Sequence, residues 1–343
     1  MPPNILFIGA TGHIGAAVLD ALLTAHPDLS IHAIIRSIAD AEDLKDTYQT
    51  ITTSVGDLSN LPLLESAASK AEIVINTAPD VGNTPSLTAL LTGLVSSAGT
   101  PKFYLHTSGA ARIWSPPEST HTWSDLDTAP LPTTTMHAAE DTLVQSFTSR
   151  HPNLHTAIIS PTFVLGVSPS TRHKTPIIFP YLWAVLKDIG LFTVGGSGGE
   201  NGTGVADTGK LAGLYVRLVE NALKGNVDEG VWGWYWGNTW DGTFIEFLAM
   251  VKSVLEDVEE KGDEGSEVLE RVVGGGEIAD ISVEKAIELM VKNMGGEEMY
   301  CRHIAEGFGL AMKVGADRAR KVLGYDMAGL DGFGEAVRAM EGV

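Results

Sequence analysis

Asn4-Ile5-Leu6-Phe7-Ile8-Gly9-Ala10-Thr11-Gly12-His13-Ile14-Gly15-Ala16-Ala17-Val18-Leu19-Asp20-Ala21-Leu22-Leu23 is the stretch on which the reading of the chain turns. Asn4 to Ile8 is an apolar run of strand length. Three glycines spaced by three follow it, and Ala16 to Leu23 continues with helical periodicity. A tight strand-to-helix turn needs a residue tolerant of positive φ, which glycine supplies. It also needs access: a side chain at Gly12 would keep a diphosphate from the N–H groups at the helix start, where unpaired donors and the helix dipole favour negative charge. A glycine triplet alone is a weak signal, but between a strand and a helix it reads as a dinucleotide-binding turn.

The helix should stop at His26-Pro27, and Leu29 to Arg36 reads as a second strand whose end selects the cofactor. An NAD site places Asp or Glu about 20 residues past the motif, on the ribose 2′-hydroxyl, whereas Arg there accommodates a 2′-phosphate. Arg36 lies 36 − 15 = 21 residues beyond Gly15, and no carboxylate follows until Asp40. The pattern favours NADP(H) over NAD(H); the plainer alternative is a solvated Arg at a strand end.

With 343 residues, 44% hydrophobic and 19% charged, the chain fits one large α/β domain plus a smaller one. No apolar run of about 18 residues is present, so no membrane span is expected. The first residues lack the pattern of a signal peptide. A single cysteine, Cys301, can form no internal disulfide and points to a reducing compartment, the cytoplasm. The net charge of −20 argues against nucleic acid or an anionic membrane as partner. An anionic cofactor must then be held by local donors against the overall field.

Further on, Ala39 to Gln49 reads as a short polar helix and Ile51 to Val55 as a third strand, leaving at Gly56-Asp57-Leu58. Asn60 and Pro62 suit the cap and first turn of a helix through Lys70. Ile73 to Asn76 is a fourth strand entering Thr77-Ala78-Pro79. Thr84 to Gly99 is a helix with Leu at 87, 90, 91 and 94, and Lys102 to Gly109 is a fifth strand with its exit. Continuous apolar strands alternating with helices indicate a parallel sheet covered on both faces, with ligands beyond the carboxyl ends of the strands.

Arg112 to Pro132 is proline-rich and reads as a loop over the active-site edge. Thr133 to Arg150 follows as a helix and Ala157 to Ser160 as a sixth strand. Ile177 to Ile189 is an apolar helix. Gly195 to Gly204, with six glycines, lacks the Lys-Ser/Thr of a phosphate loop and reads as a mobile loop. Val231 to Gly237 is a strand with tryptophans at alternate positions, filling a sheet face. Phe244 to Leu255 is amphipathic, and Glu256 to Glu267, with seven acidic residues, reads as a solvated or disordered excursion. Ile281 to Met294 is a helix, and a last helical region begins at Asp317 to Leu323.

Gly9 to Gly15, Gly56-Asp57-Leu58, Asn76 to Pro79 and Thr107-Ser108-Gly109, in this order, resemble the short-chain dehydrogenase/reductase superfamily. More narrowly, the chain resembles its extended or atypical branch, the NAD-dependent epimerase/dehydratase-like proteins. Ser160 to Gly166, Val205-Ala206-Asp207 and Ala316 to Tyr325 resemble later segments of that family more loosely. The resemblance implies a Rossmann-type doubly wound parallel sheet at 1–165 and 205–255, with a smaller substrate-binding cap at 166–204 and 256–343. It implies that Gly9, Thr11, Gly12, His13, Ile14 and Gly15 hold the pyrophosphate, Arg36 the 2′-phosphate, and Asp57 with Leu58 the adenine. Thr77, Ala78 and Pro79 would border the nicotinamide ribose, and Pro161, Thr162 and Phe163 the nicotinamide. The expected partner is a small-molecule substrate, with the protein a monomer or homodimer.

The family's Tyr-x-x-x-Lys dyad, in which Tyr donates a proton and Lys lowers its pKa, is missing. In Thr135 to Asp141, His137 takes the Tyr register and Asp141 the Lys register, with Ser108 as the matching hydroxyl. Three readings stay open. His137 replaces Tyr, held by Asp141, while Ser108 binds the substrate oxygen; the plainer alternative for His137 is a solvent-capped residue in the first turn of a helix. Alternatively the donor comes from Tyr104, Tyr181 or the 112–123 loop, or the fold binds NADP without turnover, like NmrA-like sensors. An epimerase or dehydratase that retains its nicotinamide is a further alternative. The histidines are scattered, so no metal is expected. Gly195-Gly196-Ser197-Gly198-Gly199 spells a hydrolase elbow but lacks a strand leading in and a helix leading out.

Overall fold

A computed structural model describes residues 4–97, 100–127, 130–260, 267–274, 276–295 and 297–341. Its main sheet has seven strands in the order Gly233–Gly237, Leu154–Pro161, Lys102–Thr107, Ile73–Asn76, Ile5–Ile8, Ile31–Ile35, Ile51–Val55. Every pairing in it is parallel. Successive side chains point to opposite faces, both covered at the centre of the sheet, which is why Ile5–Ile8 and Ile73–Asn76 are almost wholly apolar, whereas the edge strand Ile51–Val55 is Ile-Thr-Thr-Ser-Val with only its first residue buried. Ile5, Phe7, Ile73, Ile75, Phe103 and Leu105 pack on one side with the helices His13–Ala25 and Thr208–Leu223. Leu6, Ile8, Val74 and Tyr104 pack on the other with Leu61–Ala68, Thr84–Ser96 and Ala138–Arg150. The chain runs outward in both directions from Ile5–Ile8 and Ile73–Asn76, so the crevice for a ligand opens beyond the carboxyl ends of these two strands.

Local chemistry sets the helix starts. Ser37 caps Ile38–Thr47 by accepting from Asp40 N, and Asn60 caps Leu61–Ala68 by accepting from Leu63 N, with Pro62 in the first turn. Asp207 caps Thr208–Leu223 by accepting from Gly209 and Lys210 N. Each such cap is worth about 1 kcal/mol.

Four expectations need correction. The helix expected from Thr133 begins at Ala138, because His137 sits at φ 65 and interrupts any earlier turn. The glycine segment 195–204 is a loop only in its first half: 195–199 is a turn, and Gly202–Asp207 is a fully buried strand. That strand needs glycine for proximity, since a Cβ at Gly204 would lie 2.6 Å from Asn238 Oδ1 and 2.8 Å from Thr162 Cγ2. The acidic stretch starts as the end of the helix Phe244–Glu260 and finishes in the helix Glu267–Val273; 261–266 lies outside the described residues. A strand, Phe192–Val194, does lead into Gly195, but a second strand rather than a helix follows the turn. The tail of the helix expected to Gly99 falls partly on 98–99, also outside the described residues.

A second core forms around Phe179, Phe192, Phe244, Phe247 and Phe308, with the helices Ile178–Ile189, Phe244–Glu260, Val283–Met294 and Glu298–Gly309. Phe308 packs against Phe192 and Phe244 at ring distances of 5.8 and 5.3 Å. The division at 255 drawn from sequence passes through the helix Phe244–Glu260, whose buried face lies wholly in this second core. A three-stranded sheet, Trp240–Thr243, Gly202–Asp207 and Phe163–Leu165, carries the chain between the two cores.

Candidate active site

The glycine turn is built for a close approach of backbone. Gly9 has φ 86, and a Cβ there would lie 2.7 Å from Ala78 N; a Cβ at Gly15 would lie 2.0 Å from Gly9 O. Gly12 is different, meeting only Gly9 O at 3.3 Å. It is the N-cap of His13–Ala25 with no side-chain cap, and the first turn carries no acidic residue. A helix start with its donors left uncapped and no carboxylate nearby fits a diphosphate. Thr11 and His13 are held by their carbonyls, which accept from Ser170 Oγ and Ser168 Oγ, both at 2.7 Å. The His13 ring is engaged with His173 O and Thr208 Oγ1, so only its backbone faces a diphosphate role.

Arg36 is exposed just past the end of Ile31–Ile35. Hydrogen bonds from Ser59 hold the Asp57 carboxyl below its usual range, with Arg36 adding to the effect; Leu58 follows it in the same exit. Thr77 donates to Ile8 O and Ala78 N donates to Asn76 Oδ1, tying this exit, with Pro79 next, to the glycine turn. Pro161 ends its strand; Thr162 is buried on Asn238 Oδ1 at 2.8 Å, and the Phe163 ring lies against Phe308.

Beyond these strand ends lies a buried ionic cluster. The turn after Ile73–Asn76 brings in Asp80, and Glu140 accepts from Gly82 N to fasten that turn to the helix Ala138–Arg150. His137 Nδ1 donates to Asp80 Oδ1 and Oδ2 at 2.9 and 2.8 Å. Asp141, 0% exposed, accepts from Ser108 Oγ at 3.1 Å and pairs with Arg112 at 3.3 Å. His106, also 0% exposed, sits between the two carboxylates, its Nε2 3.6 Å from Asp80 and 3.7 Å from Asp141. Burial raises the Asp80 carboxyl, but contacts with His106 and His137 outweigh it and hold the group well below the usual range. Burial dominates at Asp141, which is pushed up to about 6.

Ser108, His137 and Asp141 are therefore brought together, with one change of partner: the carboxylate on His137 is Asp80, and Asp141 serves Ser108 and Arg112. His137 is the helix N-cap in the left-handed region, the one non-glycine residue at positive φ among the described residues. Gly109 makes room for its ring, since a Cβ there would lie 2.5 Å from His137 Nε2. Tyr104 is wholly buried and hydrogen-bonded to Asn76, and Tyr181 packs on Tyr300 within the cap. The cap reaches the cluster through Glu298–Gly309, where His303 stacks on Trp114 at 4.5 Å. Burial, with His137 nearby, lowers His303 to about 4.

Sequence reasoning missed Asp80, His106 and Arg112. One signal was available for His106: an imidazole in a strand covered on both faces must find a charged or polar partner. The donor atoms of Asp80, His106 and Asp141 lie within 4.8 Å of one another, close enough to hold a metal ion, although Arg112 already supplies positive charge to Asp141. His151 and His155, four apart in sequence, lie on a helix end and a strand, stacked on Phe147 and Phe103 respectively. No helix among the described residues is long and apolar enough to cross a membrane.

Residues 9–166 match a family model described as NAD(P)H-binding. Over 114 residues the chain is 37% identical to Oxidase ucsJ of an Acremonium species, a match spanning 33% of this chain and 32% of that protein. Among solved structures, yeast methylglyoxal/isovaleraldehyde reductase Gre2 complexed with NADPH is 14% identical, covering 99% of this chain and 100% of that one, with a TM-score of 0.63. A double mutant of DesIV, the dTDP-glucose 4,6-dehydratase of Streptomyces venezuelae with NAD and DAU bound, is 16% identical, covering 97% and 95%, with a TM-score of 0.65. UDP-glucose 4-epimerase of Thermotoga maritima is 13% identical over 98% and 99%, with a TM-score of 0.63. At such identities the likeness is one of fold. Residues 9–166 thus match the NAD(P)H-binding family model, and the fold of the whole chain is like that of these reductase, dehydratase and epimerase structures.

Proposed function

We propose that this chain is an NADP(H)-dependent oxidoreductase of the extended or atypical short-chain dehydrogenase/reductase type, reducing a small carbonyl compound or oxidising the matching alcohol. The observation that carries the proposal is His137, in the register of the missing Tyr, bound through Nδ1 to Asp80 beyond the same strand ends as the glycine turn. A carboxylate on Nδ1 fixes the imidazole and leaves Nε2, which lies beside Gly109, as the nitrogen that could act as a general acid. His137 would give its Nε2 proton to the substrate oxygen in reduction and take it back in oxidation. Ser108 would hold that oxygen by turning onto it the hydroxyl proton that Asp141 accepts here. Bound NADPH supplies the hydride from nicotinamide C4. Arg36, exposed beyond its strand end, supports NADP(H) over NAD(H).

A second reading is a non-catalytic NADP sensor. The Arg112–Asp141 pair favours it, because the position where the family keeps a ribose-binding lysine carries a neutralised carboxylate instead. Absorbance at 340 nm across a panel of aldehydes and ketones separates the two. The oxidoreductase consumes NADPH with at least one of them, and His137→Asn lowers kcat by about 10²- to 10⁴-fold while NADPH affinity holds. Saturable NADPH binding with no consumption across the panel overturns the enzymatic reading.

A further inference from the structure

Five ionisable side chains share one buried place: Asp80, His106, Arg112, His137 and Asp141, exposed by 6, 0, 4, 13 and 0%. At pH 7.5, above the raised Asp141 value of about 6, the charges are −1 for each Asp and +1 for Arg112, a sum of −1 before either imidazole is counted. A net charge held away from water is costly, and one proton on the imidazole pair removes it, whereas two would leave +1. His106 is placed to compete for that proton. Both of its ring nitrogens lack a hydrogen-bond partner, as does Asp141 Oδ1, and Nε2 faces a carboxylate oxygen on either side. His137 reaches the same Asp80 oxygen from the other side, at 2.8 Å.

We infer that His106 and His137 share a single proton across Asp80, with Asp141 and Arg112 completing an electrically neutral set, so that His106 sets how much of His137 is charged. His106 is then a positioning residue that acts through His137. The other groups facing the cluster leave the count unchanged. Ser108 is a neutral hydroxyl, Tyr104 is neutral in its buried site, and His303 is neutral above about pH 4. Glu140, also buried, carries a charge of its own outside the five, on a carboxylate that accepts from the Gly82 N–H and not from a member of the cluster. A divalent metal in the same three donors would compete with the proton, and the Arg112 guanidinium beside Asp141 argues for the smaller charge.

The consequence for turnover rests on the oxidoreductase reading, but the proton count does not. The test is ring 15N NMR of the full chain, labelled at histidine, at pH 7.5 without substrate. The expected result is two rings, His106 and His137, whose protonation sums to one. In His106→Gln the whole proton moves to His137, and in His137→Asn it moves to His106. In Arg112→Gln the charge of the three groups falls to −2 and the set takes up a second proton, shared between the rings and Asp141, so that the protonation of the two rings sums to more than one. In kinetics, His106→Gln moves the limb of the kcat/KM profile assigned to His137 upward, by on the order of one pH unit, with KM for NADPH unchanged. Two rings that titrate independently overturn the inference. So does a His106 spectrum untouched by His137→Asn, or stoichiometric metal by elemental analysis with a metal-shifted His106. Should His106→Gln fail to fold, as judged by circular dichroism, His137→Asn and Arg112→Gln still decide. A protein that passes the NMR test but consumes no NADPH fails only the oxidoreductase reading.

Discussion

Gly109 and His137 form a fitted pair: the backbone of one leaves the space the ring of the other occupies. His137 holds a left-handed backbone at φ 65, which costs a non-glycine residue about 1–2 kcal/mol, and strain of this kind gathers at functional sites. Gly109→Ala, which would put a Cβ 2.5 Å from His137 Nε2, is expected to lower kcat at least tenfold while NADPH affinity, read by calorimetry, stays within about twofold. Wild-type turnover in that variant would take His137 out of the reaction. Asp80→Asn keeps the shape but removes the charge on His137, so its kcat should fall in step with His137→Asn. His137 and Ser108 were legible because they occupy registers that a sequence can count. Asp80 was not, since it meets His137 from 57 residues away and only the fold closes that distance.

The first strand, the glycine turn and the helix after it form the element on which cofactor binding depends, and its glycines are not equivalent. A Cβ at Gly15 would sit 2.0 Å from Gly9 O, so Gly15→Ala should disrupt the element and lower the melting temperature sharply. Gly12 has only one neighbour, at 3.3 Å, so Gly12→Ala should fold normally and lose NADPH affinity by tenfold or more. Equal affinity in Gly12→Ala and wild type would remove the diphosphate from this helix start. At the next strand end, Arg36→Ala should weaken NADPH by roughly tenfold and leave NADH unchanged, measured side by side by fluorescence. The apolar strands of the main sheet were readable because both faces are covered, which leaves continuous Ile, Val and Leu runs. The start at Ala138 was not, because a histidine at positive φ carries no pattern of its own. In the glycine segment, composition could not separate a turn that needs positive φ from a strand that needs room.

On the scale of the whole molecule, Asp125 joins three parts of the chain. Its carboxylate accepts from Trp236 N on the edge strand of the large sheet and from Asp317 and Arg318 N near the C-terminal helices. Burial raises it to about 6, against those hydrogen bonds. A raised folded-state pKa means that the native state holds a proton the unfolded chain has released. Asp125 thus contributes stability that is complete below the unfolded carboxylate pKa and lost as pH rises through about 6. Between pH 4 and 6 its contribution to unfolding free energy falls by about 1.4 kcal/mol per pH unit, and denaturant titrations of Asp125→Asn should show that slope removed. An unchanged slope would place the titration elsewhere. The separate core around Phe179 and Phe192 was foreshadowed in the sequence by a change of character after Gly166. Helix Glu298–Gly309, which carries His303 onto Trp114, was not anticipated: its apolar residues are too few to stand out.

The account depends on NADPH lying across the glycine turn with its nicotinamide at the ionic cluster, and a crystal structure of the protein grown with NADPH tests this most directly. The expected map has the diphosphate on the backbone at the start of His13–Ala25, Arg36 on the 2′-phosphate, and nicotinamide C4 facing Ser108 and His137. A crevice with no cofactor density at saturating NADPH, or a nicotinamide turned away from His137, would contradict it.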